Sequence, residues 1–142
     1  MKKVVAARRT YASLRVGESA SVERTITTKD MQAFADLSGD YNPLHMDAAY
    51  AKKTPLGSRT VHGMMLGALV SQLVGMKLPG KYALLVKESL EFAKPLLVGE
   101  TVKVTATICH KSDVMRVIEL TIEVTRKGDR IASGSAYARV LK

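Results

Sequence analysis

Residues 62–77, HGMMLGALVSQLVGMK, constrain the fold more than any other stretch of the chain. Met64, Met65, Leu66, Ala68, Leu69, Val70, Leu73, Val74 and Met76 put apolar side chains on almost every face of a helix, and a helix apolar all round has to be wrapped by something. A chain of 142 residues can bury a real core in one domain, and the wrapping element it can build is a sheet that curls about the helix. Gly63, Gly67 and Gly75 each lower helix propensity by roughly 1 kcal/mol against alanine, so burial rather than local preference must hold the segment helical. Gln72 and Lys77 interrupt the run, which is too short to span a bilayer, and no membrane association is expected.

The C-terminal half supplies strands. Val102, Val104, Ala106 and Ile108 alternate with Thr101, Lys103, Thr105 and Thr107, while Ile118, Leu120, Ile122 and Val124 alternate with Glu119, Thr121, Glu123 and Thr125. One face is therefore wet and the other buried. Strands are expected over 82–93, 100–110, 115–126 and 130–140, with the short links KPLLVG, KSDV and KGDR making successive strands antiparallel neighbours. Upstream, SVERTIT reads as a first strand. Thr28 is then the expected N-cap of a helix that carries Asp30 in its first turn and ends at Gly39, and Asp47 caps a short helix to about Lys52. The fold class is α+β: an antiparallel sheet of about five strands wrapped around a long buried central helix. Residues 1–14 form a basic arm and 15–142 a single domain.

Net charge is +9, which invites an acidic partner. Nearly half of that excess lies in the first 20 residues, where Lys2, Lys3, Arg8, Arg9 and Arg15 face only Glu18. With two Phe and no Trp, stacking platforms for bases are scarce, and no nucleic-acid partner is expected. Arg59 and Lys81 are candidates for nucleotide phosphates, with plain solvation as the competing role. The lone Cys109 makes no internal disulfide, which suits a reducing compartment, and the N-terminal stretch lacks the apolar core of a secretory signal. A cytoplasmic location is the expectation.

The chemistry-bearing stretch is SGDYNPLHMD, residues 38–47. Pro43 pushes Asn42 out of helical geometry and Gly39 permits angles closed to other residues, so 39–43 must turn. Asp40 and His45 project from that turn, where an acid and an imidazole can work as a proton-transferring pair, although an Asp after Gly is also an ordinary turn former and a lone His is often structural. A second element, RTVHGMM at 59–65, places Gly63 at a helix start, with its N–H free of intrahelical bonding and reinforced by the helix dipole. That is the equipment of an oxyanion hole. His62 reads as a bridge from the loop to the helix start and His110 as surface. The three histidines lack the H-x-x-x-H spacing of a helical zinc site, so no metal is expected.

FADLSGDYNPLHMDAAYA, followed by RTVHGMMLGALVSQLVG, LPGKY and SLEFAKPLLVGETV, resembles the MaoC-like (R)-specific enoyl-CoA hydratases of the hot-dog fold from about residue 15 to the C-terminus. The resemblance implies that Asp40 and His45 are the catalytic pair and that the Gly63 amide donates to a thioester carbonyl. Asp40 would act as base toward water, and His45 would orient that water and share the proton. Around the substrate the expected residues are Asn42, which shapes the loop, His62, and Ser71, which matches a family serine near the active site. A helix hydroxyl bonding back to its own i−4 carbonyl is an equally good physical reading of Ser71. The activity implied is addition of water to a trans-2-enoyl-CoA to give an (R)-3-hydroxyacyl-CoA, with no cofactor and with a homodimer as the working unit. Three alternatives stay open: a 3-hydroxyacyl-[acyl-carrier-protein] dehydratase, a thioesterase lacking the carboxylate it would need on the long helix, and a non-catalytic acyl-thioester-binding module.

Overall fold

The computed structural model describes residues 4–142, so the first three residues of the expected basic arm lie outside the described residues. Five antiparallel strands, β1 (Ser19–Thr25), β2 (Ala83–Phe92), β3 (Thr101–Ser112), β4 (Val117–Arg126) and β5 (Asp129–Val140), form one sheet in the order β1-β3-β4-β5-β2. Between β1 and β2 run the helices α1 (Thr28–Ser38), α2 (Pro43–Met46), α3 (Ala48–Lys52) and α4 (Gly63–Met76). The alternation read from the sequence sets which side of the sheet is dry: Val102, Val104, Ala106, Ile108, Ile118, Leu120, Ile122 and Val124 are all buried. They share one apolar cluster with Leu66, Val70, Leu73 and Val74 of α4, so the long helix lies along the inner face of the curled sheet. Among the described residues no helix is long and apolar enough to cross a membrane.

The link KPLLVG does not join neighbours. β2 pairs with β5 at the far side of the sheet from β1, with β4 and β5 lying between it and β3. The link instead runs beside the segment before α4, with Val61 N–H donating to the Leu96 carbonyl at 2.7 Å and Val98 N–H to the Arg59 carbonyl at 3.0 Å. Its apolar Leu96, 3% exposed, makes that crossing favourable. Gly134 lets β2 close on β5, because a Cβ there would overlap the Ser89 carbonyl oxygen.

Three local expectations are revised. Thr27, not Thr28, caps α1: its hydroxyl accepts from Asp30 N–H at 3.2 Å while the Asp30 carboxylate accepts from Thr27 N–H at 2.9 Å, a reciprocal arrangement that fixes the start one residue earlier. Gly39 ends the helix as expected, in the left-handed conformation at φ 77°. Pro43 does not close the turn but opens the single-turn helix α2, because a proline at the first helical position has no N–H to leave unpaired. Finally, α4 is wrapped on most faces only. Met64, Ala68, Ser71, Gln72 and Gly75 form an exposed stripe.

Residues from Ala7 onward lie against the far end of α4. Ala7 N–H donates to the Met76 carbonyl at 2.9 Å, Lys81 N–H donates back to the Ala7 carbonyl at 2.7 Å, and Leu14 is completely buried.

Candidate active site

The geometry of the site starts with Asn42. As N-cap of α2 its side-chain oxygen accepts from Leu44 N–H at 2.9 Å, which holds the turn of helix that carries His45. Asp40 closes its own local turn by accepting from Asn42 N–H through Oδ1 at 3.1 Å. Its second oxygen, Oδ2, faces His45 Nε2 at 3.8 Å. The other ring nitrogen, Nδ1, lies 2.6 Å from the Thr60 carbonyl. A carbonyl only accepts, so Nδ1 carries the hydrogen and Nε2 is left facing Asp40. A gap of 3.8 Å is too long for a direct hydrogen bond. It is a good width for one oxygen atom between the two, which at about 2.8 Å from each would subtend roughly 85°.

His62 ties this pair to the long helix. It is 2% exposed, its Nε2 sits 2.9 Å from the Asp40 carbonyl, and its ring stacks on His45 at 4.0 Å between centroids while Phe34 packs at 4.9 Å. Donation to the Asp40 carbonyl places the hydrogen on Nε2. Nδ1 is buried without a hydrogen-bond partner among the described residues. Asp40, His45 and His62 bring potential metal-ligand atoms within 4.8 Å of one another. The two imidazoles are stacked within 28° of parallel, so their in-plane lone pairs run side by side instead of meeting at one point, an arrangement that suits hydrogen bonding more than shared ligation.

Next to His62, Gly63 begins α4, with its amide pointing out of the helix N-terminus. A cleft of about 270 Å³ opens there, lined by His45, Thr60, Gly63, Leu66 and Phe92. A Cβ at Gly63 would sit 3.2 Å from the Phe92 ring, so glycine lets the aromatic wall approach the amide. Asp40, Asn42, His45, His62 and Gly63 thus converge. Ser71 does not join them: it lies two helical turns beyond Gly63, on the exposed stripe of α4. Arg59 is not a free phosphate ligand, since its Nε donates to the His45 carbonyl and its Nη2 reaches Met46 Sδ at 3.8 Å. Arg59 was singled out from sequence only for nucleotide phosphates, and Thr60 and Phe92 were not recognised at all. The first two stand directly before the V-H-G stretch, whereas no local signal marks Phe92.

A helix lying along a five-stranded antiparallel sheet, with an acid–imidazole pair at its N-terminal end, defines a hot-dog domain. The MaoC like domain family matches residues 15–129, and the chain belongs to that family. It is 33% identical over 130 residues to an (R)-specific enoyl-CoA hydratase of Rhodospirillum rubrum, covering 92% of this chain and 90% of the relative. It is 35% identical over 129 residues to the (R)-specific enoyl-CoA hydratase of Aeromonas caviae, covering 90% of this chain and 96% of that one. Among solved structures, unliganded R-hydratase PhaJ1 from Pseudomonas aeruginosa superposes with a TM-score of 0.92 at 33% identity, covering 96% of this chain and 88% of that one.

Proposed function

We propose that this chain is a hydro-lyase that adds water to a trans-2-enoyl-CoA to give the (R)-3-hydroxyacyl-CoA. The observation that carries the reading is the 3.8 Å gap between Asp40 Oδ2 and His45 Nε2, with His45 lining the same cleft as Gly63. The family relationship supports the substrate class and the stereochemistry.

With the thioester oxygen at the Gly63 N–H, a water held by Asp40 and His45 lies over C3. His45, fixed by Thr60, accepts one water hydrogen at Nε2 and orients the molecule. Asp40 takes the other proton as the water oxygen bonds to C3, and the electron pair of the double bond moves onto the thioester oxygen. Gly63 N–H and the N-terminal end of α4 stabilise that charge. C2 then receives a proton from the same Asp40–His45 pair, so both new bonds form on one face and the pair ends as it began.

The working unit in this proposal is a homodimer. β1 and β2 are the two edges of the sheet, and α4 leaves Met64 and Ser71 uncovered; a second copy laid along an edge covers both. Ser71 meets the substrate only in such an assembly. An exposed free Cys109 suits the cytoplasm.

The test follows loss of enoyl-thioester absorbance with crotonyl-CoA, with chiral analysis of the product. Wild type gives the (R)-3-hydroxy product, and Asp40→Asn and His45→Ala each lower kcat by at least about a hundredfold. Turnover only with acyl-carrier-protein thioesters would move the reading to the carrier-linked dehydratase. Tight acyl-CoA binding without turnover would make the chain a binding module.

A further inference from the structure

Glu88 is a partly buried acid that the mechanism does not use. It lies on β2, where Glu88 and Leu90 turn toward the helix while Lys87, Ser89 and Glu91 face outward. Its Oε1 is buried with no hydrogen-bond partner among the described residues, and burial pushes its carboxyl above the usual range. The carboxyl rests against the α4 backbone at Gly67: a Cβ at that position would come within 2.7 Å of Oε1. Together with Met64, Leu90 and Phe92 it lines a cavity of about 150 Å³.

Phe92 also lines the catalytic cleft, so the two spaces share a wall. Their characters differ. The catalytic cleft reaches Lys94 and the exposed link after β2, surroundings that suit the polar carrier arm of a thioester. The smaller cavity is apolar apart from Glu88 and suits an alkyl chain. From Gly63 to Gly67 is one helical turn, about 6 Å along the axis. An extended acyl chain anchored by its carbonyl at Gly63 covers that distance in roughly four to five carbon–carbon bonds.

Resting on the hydratase reading above, we propose that Glu88 is a specificity-determining residue that restricts the acyl site to short chains, because a longer alkyl chain packs against its carboxyl and takes out of water the second oxygen, which unlike Oε1 is not fully buried. A buried polar group left unpaired by the wrong substrate discriminates more strongly than a missing methylene.

The experiment measures kcat/KM for crotonyl-CoA, trans-2-hexenoyl-CoA and trans-2-octenoyl-CoA with wild type, Glu88→Leu, Glu88→Met and Glu88→Gln. Wild type favours crotonyl-CoA. Glu88→Leu raises the octenoyl-to-crotonyl ratio about tenfold. Glu88→Met gives the same shift and stands in if the leucine variant folds poorly, whereas Glu88→Gln, which keeps a polar group of the same shape, retains the wild-type ratio. An unchanged ratio in all variants, with crotonyl-CoA still turned over, overturns the proposal. So does an equal change in KM at every chain length, which would place Glu88 beside the carrier arm. Failure of wild type on crotonyl-CoA would instead strike the hydratase reading itself, and this inference with it.

Discussion

His62→Phe separates the tethering role of His62 from its bulk. The phenyl ring keeps the stack on His45 and the packing against Phe34, now at 4.0 and 4.9 Å between centroids, but it removes the donor that lies 2.9 Å from the Asp40 carbonyl. Losing one net hydrogen bond at a partly buried carbonyl costs about 1 kcal/mol, which for a chain of this size lowers Tm by roughly 3–4 °C. The catalytic effect is larger, because the lost bond is what joins the Asp40 turn to α4. A displacement of about 1 Å at Asp40 widens the gap to His45 and lowers kcat on the order of a hundredfold. His62→Ala adds a cavity beneath His45 and costs about 2–4 kcal/mol, or roughly 10 °C. The assay pairs thermal unfolding with crotonyl-CoA hydration. A His62→Phe protein with wild-type Tm and wild-type kcat would show that the contact with Asp40 positions nothing.

Gly63→Ala leaves stability within about 1 kcal/mol of wild type, since alanine favours the helix by up to that amount while its methyl meets the half-exposed Phe92 ring at 3.2 Å. The methyl enters the cleft, so kcat falls more than about tenfold, and parallel Tm and rate measurements expose the divergence. Leu73→Ala, at a position with no exposure, costs about 2–5 kcal/mol in urea unfolding through a cavity between α4 and the sheet. Asp30 tests the α1 cap by pH: the Thr27 amide and then the Arg24 guanidinium hold its carboxyl down to about 2, below its ordinary 3.8. Its contribution is complete above that ordinary value and disappears as pH falls through about 2. Asp30→Asn therefore melts below wild type at neutral pH, and the two melting curves converge in strong acid.

Much of the fold is written in local pattern. The two-residue alternation of Thr101–Ser112 and Val117–Arg126 needs no partner to be visible, because successive side chains of a strand point to opposite faces wherever it pairs. Gly39 stopped α1 in the left-handed conformation that its lack of a Cβ allows. The turn that carries Asp40 and His45 and the helix start at Gly63 were also visible, since a turn and a helix start are short-range features. Thr27 rather than Thr28 as the cap, and Pro43 as a helix opener rather than a turn closer, were misread at the level of single residues. Such boundaries depend on which of two neighbouring groups finds the better partner.

Contacts between distant segments stayed illegible. No periodicity shows that β2 passes over to β5, because a strand's pattern records which face is buried and not which strand lies beside it. The Asp40 turn meets His62, 22 residues away, and Glu88 meets Gly67 across the space between strand and helix; both contacts exist only once the sheet has curled around α4. The same closure left Met64 and Ser71 outside the wrap, although the helix reads as apolar on every side. The chain by itself determined most of its elements, their buried faces and the turn that carries Asp40 and His45. Tertiary structure decided strand order, the backbone carbonyls that face the two imidazoles, and the placement of Glu88 against Gly67, because each depends on distances that local propensity does not encode.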